Sequence, residues 1–135
     1  MTIFIDTGIF VALRNADDEN HHQAKELMKK ALKAEFGRIY TADYIIDEAI
    51  TTALVRTRRH DIAVDVGRYI IESPRITKLW TTKEIFEIAW QKFETYKDRS
   101  LSFTDHITLV HMQKNKIKQI LSFDSGFDGL VPRIC

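Results

Sequence analysis

One cysteine, two prolines and five glycines are all that this chain of 135 residues contains of the three residue types that most constrain a backbone. The cysteine is Cys135, so no internal disulfide can form, which fits a reducing compartment and an expected cytoplasmic home. Scarce proline and glycine exclude collagen-like, linker-rich and low-complexity architectures. Charge of one sign is also missing: 20 basic against 19 acidic side chains leave a net +1, so any contact with a polyanion has to be local. No apolar run approaches the ~20 residues that span a bilayer, and the opening residues read as a strand rather than a basic leader, so a soluble, unprocessed chain with no membrane partner is expected. What remains, 44% hydrophobic and 29% charged residues, is the composition of one globular domain over 1–135.

Apolar runs of two periods alternate along the chain. Ile3-Phe4-Ile5 reads as a buried strand, and 8–13 as a short helix before a polar break at 15–20. Ala24, Leu27, Met28, Ala31 and Leu32 mark one face of a helix that starts near His21 and stops before Gly37. A second strand is expected over 38–41, a helix over 43–57 on Ile45, Ile46, Ala49, Ile50, Ala53 and Leu54, and another over 60–71, ended by Ser73-Pro74. Residues 75–80 alternate like an edge strand. Thr81 or Thr82 then caps a helix carrying Ile85, Phe86, Ile88, Ala89 and Phe93. Ser102 and Asp105 have the spacing of a capping box, ahead of Ile107, Leu109, Val110 and Met112. A strand ending at Phe123, a turn through Ser125-Gly126-Phe127 and an apolar piece at Leu130-Val131 close the chain. Strands alternating with helices predict an α/β fold, a three-layer α/β/α domain with a mostly parallel central sheet.

Four carboxylates stand where apolar segments hand over to turns or helices: Asp6, Glu48, Asp105 and Asp124. Singly, each has an ordinary reading. Asp6 can cap a helix, Asp105 can complete its capping box, Asp124 can be a turn residue and Glu48 can face solvent. Together they point further, because the carboxyl ends of parallel strands converge on one crevice. Two carboxylates ~5 Å apart repel by roughly 3 kcal/mol at an effective dielectric of about 20. A divalent metal relieves that, and hard oxygen donors suit Mg²⁺ or Mn²⁺.

The segments Ile3-Phe4-Ile5-Asp6-Thr7, Ile46-Asp47-Glu48-Ala49, Leu101-Ser102-Phe103-Thr104-Asp105-His106 and Ile120-Leu121-Ser122-Phe123-Asp124, with Phe127 three residues on, resemble the motifs of the PIN-domain ribonucleases, and within them the VapC-like toxins of prokaryotic toxin–antitoxin pairs. The resemblance covers nearly the whole chain. It implies that Asp6, Glu48, Asp105 and Asp124 are the catalytic residues and bind one or two Mg²⁺ or Mn²⁺ ions, with Thr7 and Thr104 in support. It further implies in-line attack on an RNA phosphodiester by a metal-activated water, a homodimer, and a cognate antitoxin that silences the site. Gly8 departs from the pattern, since many relatives carry Ser or Asn there, and this puts a polar contact near Asp6 in doubt. Asp128 is a candidate fifth acid or a solvent-facing turn residue. Arg56, Arg58 and Arg59 form the densest basic cluster and are candidate RNA contacts, or cations serving helix ends. None of His21, His22, His60, His106 and His111 shows a ligand pairing; His21-His22 reads as a solvated helix start and His106 as a possible neighbour of the site. Tyr40, Tyr44, Phe86, Trp80 and Trp90 read as core or dimer-contact residues rather than base-stacking platforms.

Two related functions remain open on the sequence: a housekeeping RNA-processing PIN nuclease, and a binding module with a vestigial site. A haloacid-dehalogenase-type phosphatase needs a second acid two residues after its nucleophilic aspartate, where this chain has Gly8. A signalling receiver needs clustered acids at its first strand, and Phe4-Ile5 offers none beside Asp6.

Overall fold

The computed structural model describes residues 1–97 and 100–135. Its first strand, β1 (Thr2–Ile5), buries Ile3, Phe4 and Ile5 completely, as a parallel strand covered on both faces must. β1 is the middle of a five-stranded sheet. On one side it pairs with β2 (Arg38–Ala42), which pairs with β3 (Ile76–Leu79); on the other it pairs with β4 (Ile120–Leu121), which pairs with β5 (Arg133–Ile134). Every pairing is parallel and the order is β3-β2-β1-β4-β5. The chain therefore builds outward from β1 in one direction, then returns to its other side. That reversal opens a crevice at the carboxyl ends of β1 and β4.

Helices flank this sheet, completing the expected three-layer α/β domain. α1 (Thr7–Arg14) and α2 (His21–Leu32) join β1 to β2, and α3 (Asp43–Thr57) and α4 (His60–Glu72) join β2 to β3. α5 (Lys83–Thr95) and α6 (Phe103–Lys114) then lead to β4. Local chemistry sets several ends. Thr82 accepts a hydrogen bond from Ile85 N–H at the start of α5, and the Ser102/Asp105 capping box forms in both directions at the start of α6. Gly37, at φ +82°, lets the chain turn into β2; a Cβ there would lie 2.0 Å from the Met1 carbonyl oxygen.

The main core joins the sheet to α1–α4 and includes Phe4, Phe10 and Phe127, all fully buried. A smaller one lies between α5 and α6, where Ile85, Ala89, Ile107 and Val110 meet Tyr44, Ile88 and Phe103.

Several expectations change in detail. A further strand, Arg133–Ile134, follows the apolar piece at Leu130-Val131 and was not expected, since two backbone pairings need no apolar periodicity. β4 is limited to two residues, because Ser122 and Phe123 already lead into the turn. Trp80, Phe86 and Trp90 are not core residues: they are 71%, 43% and 50% exposed, while Tyr40 and Tyr44 pack partly buried against the two cores. His21 is more than a solvated helix start, since its Nδ1 lies 2.8 Å from the Ala12 carbonyl and ties α2 to α1.

Candidate active site

Asp6 is the residue after β1, and the register that pairs Ile5 with Leu121 sets it beside Ser122, one step beyond β4. The Ser122 hydroxyl donates to Asp6 Oδ2 at 2.6 Å, and Thr7 N–H donates to Asp6 Oδ1 at 2.9 Å. The Ser122 oxygen in turn accepts from Asp124 N–H at 3.0 Å. Asp6 thus caps α1, as its ordinary reading requires, and still turns its carboxylate into the crevice. Ser122 supplies the polar contact that Gly8 does not.

Glu48 reaches the same place from α3. Its Oε1 accepts a 2.6 Å hydrogen bond from Thr7 Oγ1, so the residue after Asp6 fixes the carboxylate of a helix 41 positions away. Asp105 is held at the start of α6 by Ser102 N–H, which donates to Oδ2 at 2.9 Å. Asp124 turns back on its own loop, with Oδ1 accepting from Gly126 N–H at 2.8 Å. All four carboxylates line one cavity of about 560 Å³, together with Thr7, Gly8, Thr52, Arg56, Ser102 and Phe123.

Among the described residues the electrostatics are one-sided, with four acids against the single guanidinium of Arg56. The Asp6 carboxyl is pushed up to about 6, chiefly by burial and further by the charges of Asp105 and Glu48; its bonds from Ser122 and Thr7 act the other way. Asp105 is also raised, first by burial and then by Asp124 and Glu48, against its hydrogen bonds from Ser102. Each therefore feels its neighbours as unwelcome charge. A hard cation fits this all-oxygen donor set and the buried, mutually repelling acids. Among the described residues no three Asp, Glu, His or Cys side chains already stand gathered as metal ligands.

The remaining candidates divide. Thr7 lies in the site, but Thr104 does not line the cavity. Of the arginine cluster only Arg56 reaches it. Arg58 adopts the left-handed conformation that ends α3, and Arg59 makes a two-point pair with Asp61 at 2.6 and 3.1 Å. Asp128 is held by Arg133 at 2.7 and 3.1 Å and is no part of the cavity wall. His106 faces a different cavity, and the buried His111 Nε2 is 2.8 Å from Thr81 Oγ1, whose hydroxyl donates to Asp43 at 2.6 Å. Sequence reasoning gave no role to Ser122 or Thr52. A serine inside an otherwise apolar strand end was the signal for one, and the spacing 48, 52, 56 along a single face of α3 was the signal for the other.

The chain is similar to several known proteins. A VapC ribonuclease from Archaeoglobus fulgidus is 27% identical over 128 residues, covering 94% of this chain and 80% of that protein. The 23S rRNA-specific endonuclease VapC20 of Mycobacterium tuberculosis is 29% identical over 127 residues, 94% of this chain and 92% of its own. The crystal structure of that sarcin–ricin-loop-cleaving toxin superposes with a TM-score of 0.81 at 28% identity, covering 93% of this chain and 92% of the toxin. VapBC2 from Rickettsia felis, solved bound to a DNA fragment from its promoter, has a TM-score of 0.65 at 11% identity, a likeness of fold alone. The endoribonuclease reading is the one these relatives carry. The PIN-domain family model matches residues 3–130, nearly the whole length, and the chain belongs to that family.

Proposed function

We propose that the protein is an Mg²⁺- or Mn²⁺-dependent endoribonuclease that hydrolyses RNA phosphodiester bonds as the toxin of a toxin–antitoxin pair. The observation that carries this reading is the gathering of Asp6, Glu48, Asp105 and Asp124 around one cavity with Arg56 as the one lining cation among the described residues. Those four residues would hold the metal. When bound, the ion supplies Lewis acidity to activate a water and offsets charge developing on the phosphoryl oxygens.

The chain's own groups do the rest. Thr7 and Ser122 fix the orientation of Glu48 and Asp6, so that two of the four carboxylates are set before substrate arrives. The capping box does the same for Asp105. Arg56 receives the phosphate oxygens at the rim, its planar fork suited to them, with Arg58 and Arg59 as outer RNA contacts. Thr104, away from the cavity wall, serves only to support the turn before Asp105.

The protein works in the cytoplasm as a homodimer and is silenced by an antitoxin that presents a guanidinium to the carboxylates, competing for the oxygens the metal needs. By its likeness to VapC20, ribosomal RNA loops are the first substrates to try. The test is purified, partner-free protein incubated with structured and unstructured RNA in Mg²⁺, Mn²⁺ or EDTA, beside Asp6→Asn. Metal-dependent cutting that the variant loses is the expected result. Cleavage that survives both EDTA and Asp6→Asn overturns it, as does failure to cut any RNA, which moves the protein to a binding role.

A further inference from the structure

A second cavity, of about 350 Å³, lies beside the first and is unused by the mechanism above. Its walls are Lys92 and Tyr96 from the end of α5, Leu101, His106 and Leu109 from the start of α6, and Leu130. Chain positions alternate between the two cavities: Ser100, Ser102 and Asp105 line the acid one, while Leu101, His106 and Leu109 line this one. Gly126 sits at the divide. A Cβ built on it would be 3.1 Å from Asp124 Oδ1 and 3.4 Å from Leu101 Cδ2, so a single residue separates an acid of the site from the apolar wall next door.

The contents of this cavity are specific. Three leucines give it flat apolar surfaces, and the Tyr96 ring, 59% exposed, has no aromatic partner among the described residues. His106 is 4% exposed, its ring meets Phe93 edge-on at 5.8 Å, and its Nδ1 has no hydrogen-bond partner. Lys92 is close enough for its charge to act on the His106 ring and makes no ion pair among the described residues. Among the described residues no carboxylate lines the cavity. It offers a stacking face and a cation, a pair matched to a π-surface with acceptors on its edge. An apolar peptide side chain would leave the cation unused.

The geometry points to this cavity as a subsite for one unpaired nucleobase of the RNA strand whose backbone crosses the acid cavity, a base that stacks on Tyr96 and turns a keto oxygen to Lys92. Sequence-specific readers of RNA take splayed-out single-stranded bases onto aromatic side chains in this way. A donor-only ammonium favours the O6 of guanine or the O4 of uracil over the amino groups of adenine and cytosine. The inference rests on the nuclease reading and names a determinant of its specificity.

The test is cleavage of a randomised single-stranded RNA pool by wild type, Tyr96→Ala, Tyr96→Phe and Lys92→Met, with the cut ends sequenced and folding checked by thermal melts. Wild type should prefer guanine or uracil at one fixed position near the cut. Tyr96→Ala and Lys92→Met should flatten that preference by roughly fivefold or more, the size expected from losing one stacked or hydrogen-bonded base, while Tyr96→Phe keeps it. A wild type that neither binds nor cuts any RNA overturns the nuclease reading and this subsite with it. A wild type that cuts, with folded Tyr96→Ala and Lys92→Met variants that retain its base profile, overturns the subsite alone. Variants that instead weaken a protein partner's binding without changing the profile assign the cavity to that partner and overturn the proposal.

Discussion

Asparagine in place of Asp6 removes one ionisable group from the most crowded corner of the acid cavity, and the sign of the effect on stability can be worked out. Asp6 is 7% exposed, and its carboxyl is pushed up to about 6 from an ordinary 3.8, chiefly by burial. Between those two pH values the metal-free folded chain still holds a proton that the unfolded chain has released. A raised folded-state value stabilises fully below the unfolded one and is lost as pH climbs through the folded one. Wild type in EDTA should therefore lose about 2 kcal/mol from this group between pH 4 and pH 7, at about 1.4 kcal/mol per pH unit of displacement. The D6N variant cannot. It carries only a constant penalty of about 1 kcal/mol, because the Ser122 hydroxyl that donates to Oδ2 has to turn to accommodate an amide. Urea denaturation of both proteins in EDTA at pH 4, 5, 6 and 7 gives the answer as a slope: D6N should gain on wild type by about 2 kcal/mol across the series. Mg²⁺ should then flatten the wild-type curve, by binding the ionised folded state. A D6N-minus-wild-type difference that stays level across these pH values would refute the argument that burial and neighbouring acids make the Asp6 charge costly.

Three further perturbations separate positioning from folding. Thr7→Val deletes the 2.6 Å bond that orients Glu48; cleavage should fall by about tenfold, mostly in kcat, while urea stability changes by no more than about 1 kcal/mol. Ser102→Ala removes the hydroxyl that accepts from Asp105 N–H and should cost about 1 kcal/mol of stability by denaturation, yet cleavage should suffer less than in Thr7→Val, because Ser102 N–H still holds Asp105 Oδ2. Gly37→Ala forces a side chain into the left-handed region and onto the Met1 backbone; a loss of about 1–3 kcal/mol or more is expected, read as a lower urea midpoint.

The frame of this molecule was visible in its residues wherever a local rule governs geometry. The Ser102/Asp105 spacing announced α6, Thr82 announced α5, and the three-four pattern of Ile45, Ile46, Ala49 and Ala53 announced α3 with its observed ends. β5 was invisible, because Arg133 and Ile134 are recruited by the exposed edge of β4 and carry no pattern of their own. The four acids were legible as residues that end strands or begin helices, but their anchors were not. Ser122 meets Asp6 across 116 positions of chain, and only the β1–β4 register brings them together. The arginine cluster misled in part for a related reason: the left-handed turn at Arg58 sends three neighbouring side chains to different tasks.

The central position of β1 has a bearing on biosynthesis. Its residues are made before either of its two neighbours in the sheet, and one of those is β4, which starts only at residue 120. A growing chain can pair β1 with β2 and β3 early, yet the wall that Ser122 and Asp124 give the acid cavity cannot form until synthesis has passed residue 124. A nascent chain that has not yet passed residue 124 therefore holds an incomplete cavity, and assembly of the acids waits on the late-made β4 and the turn after it.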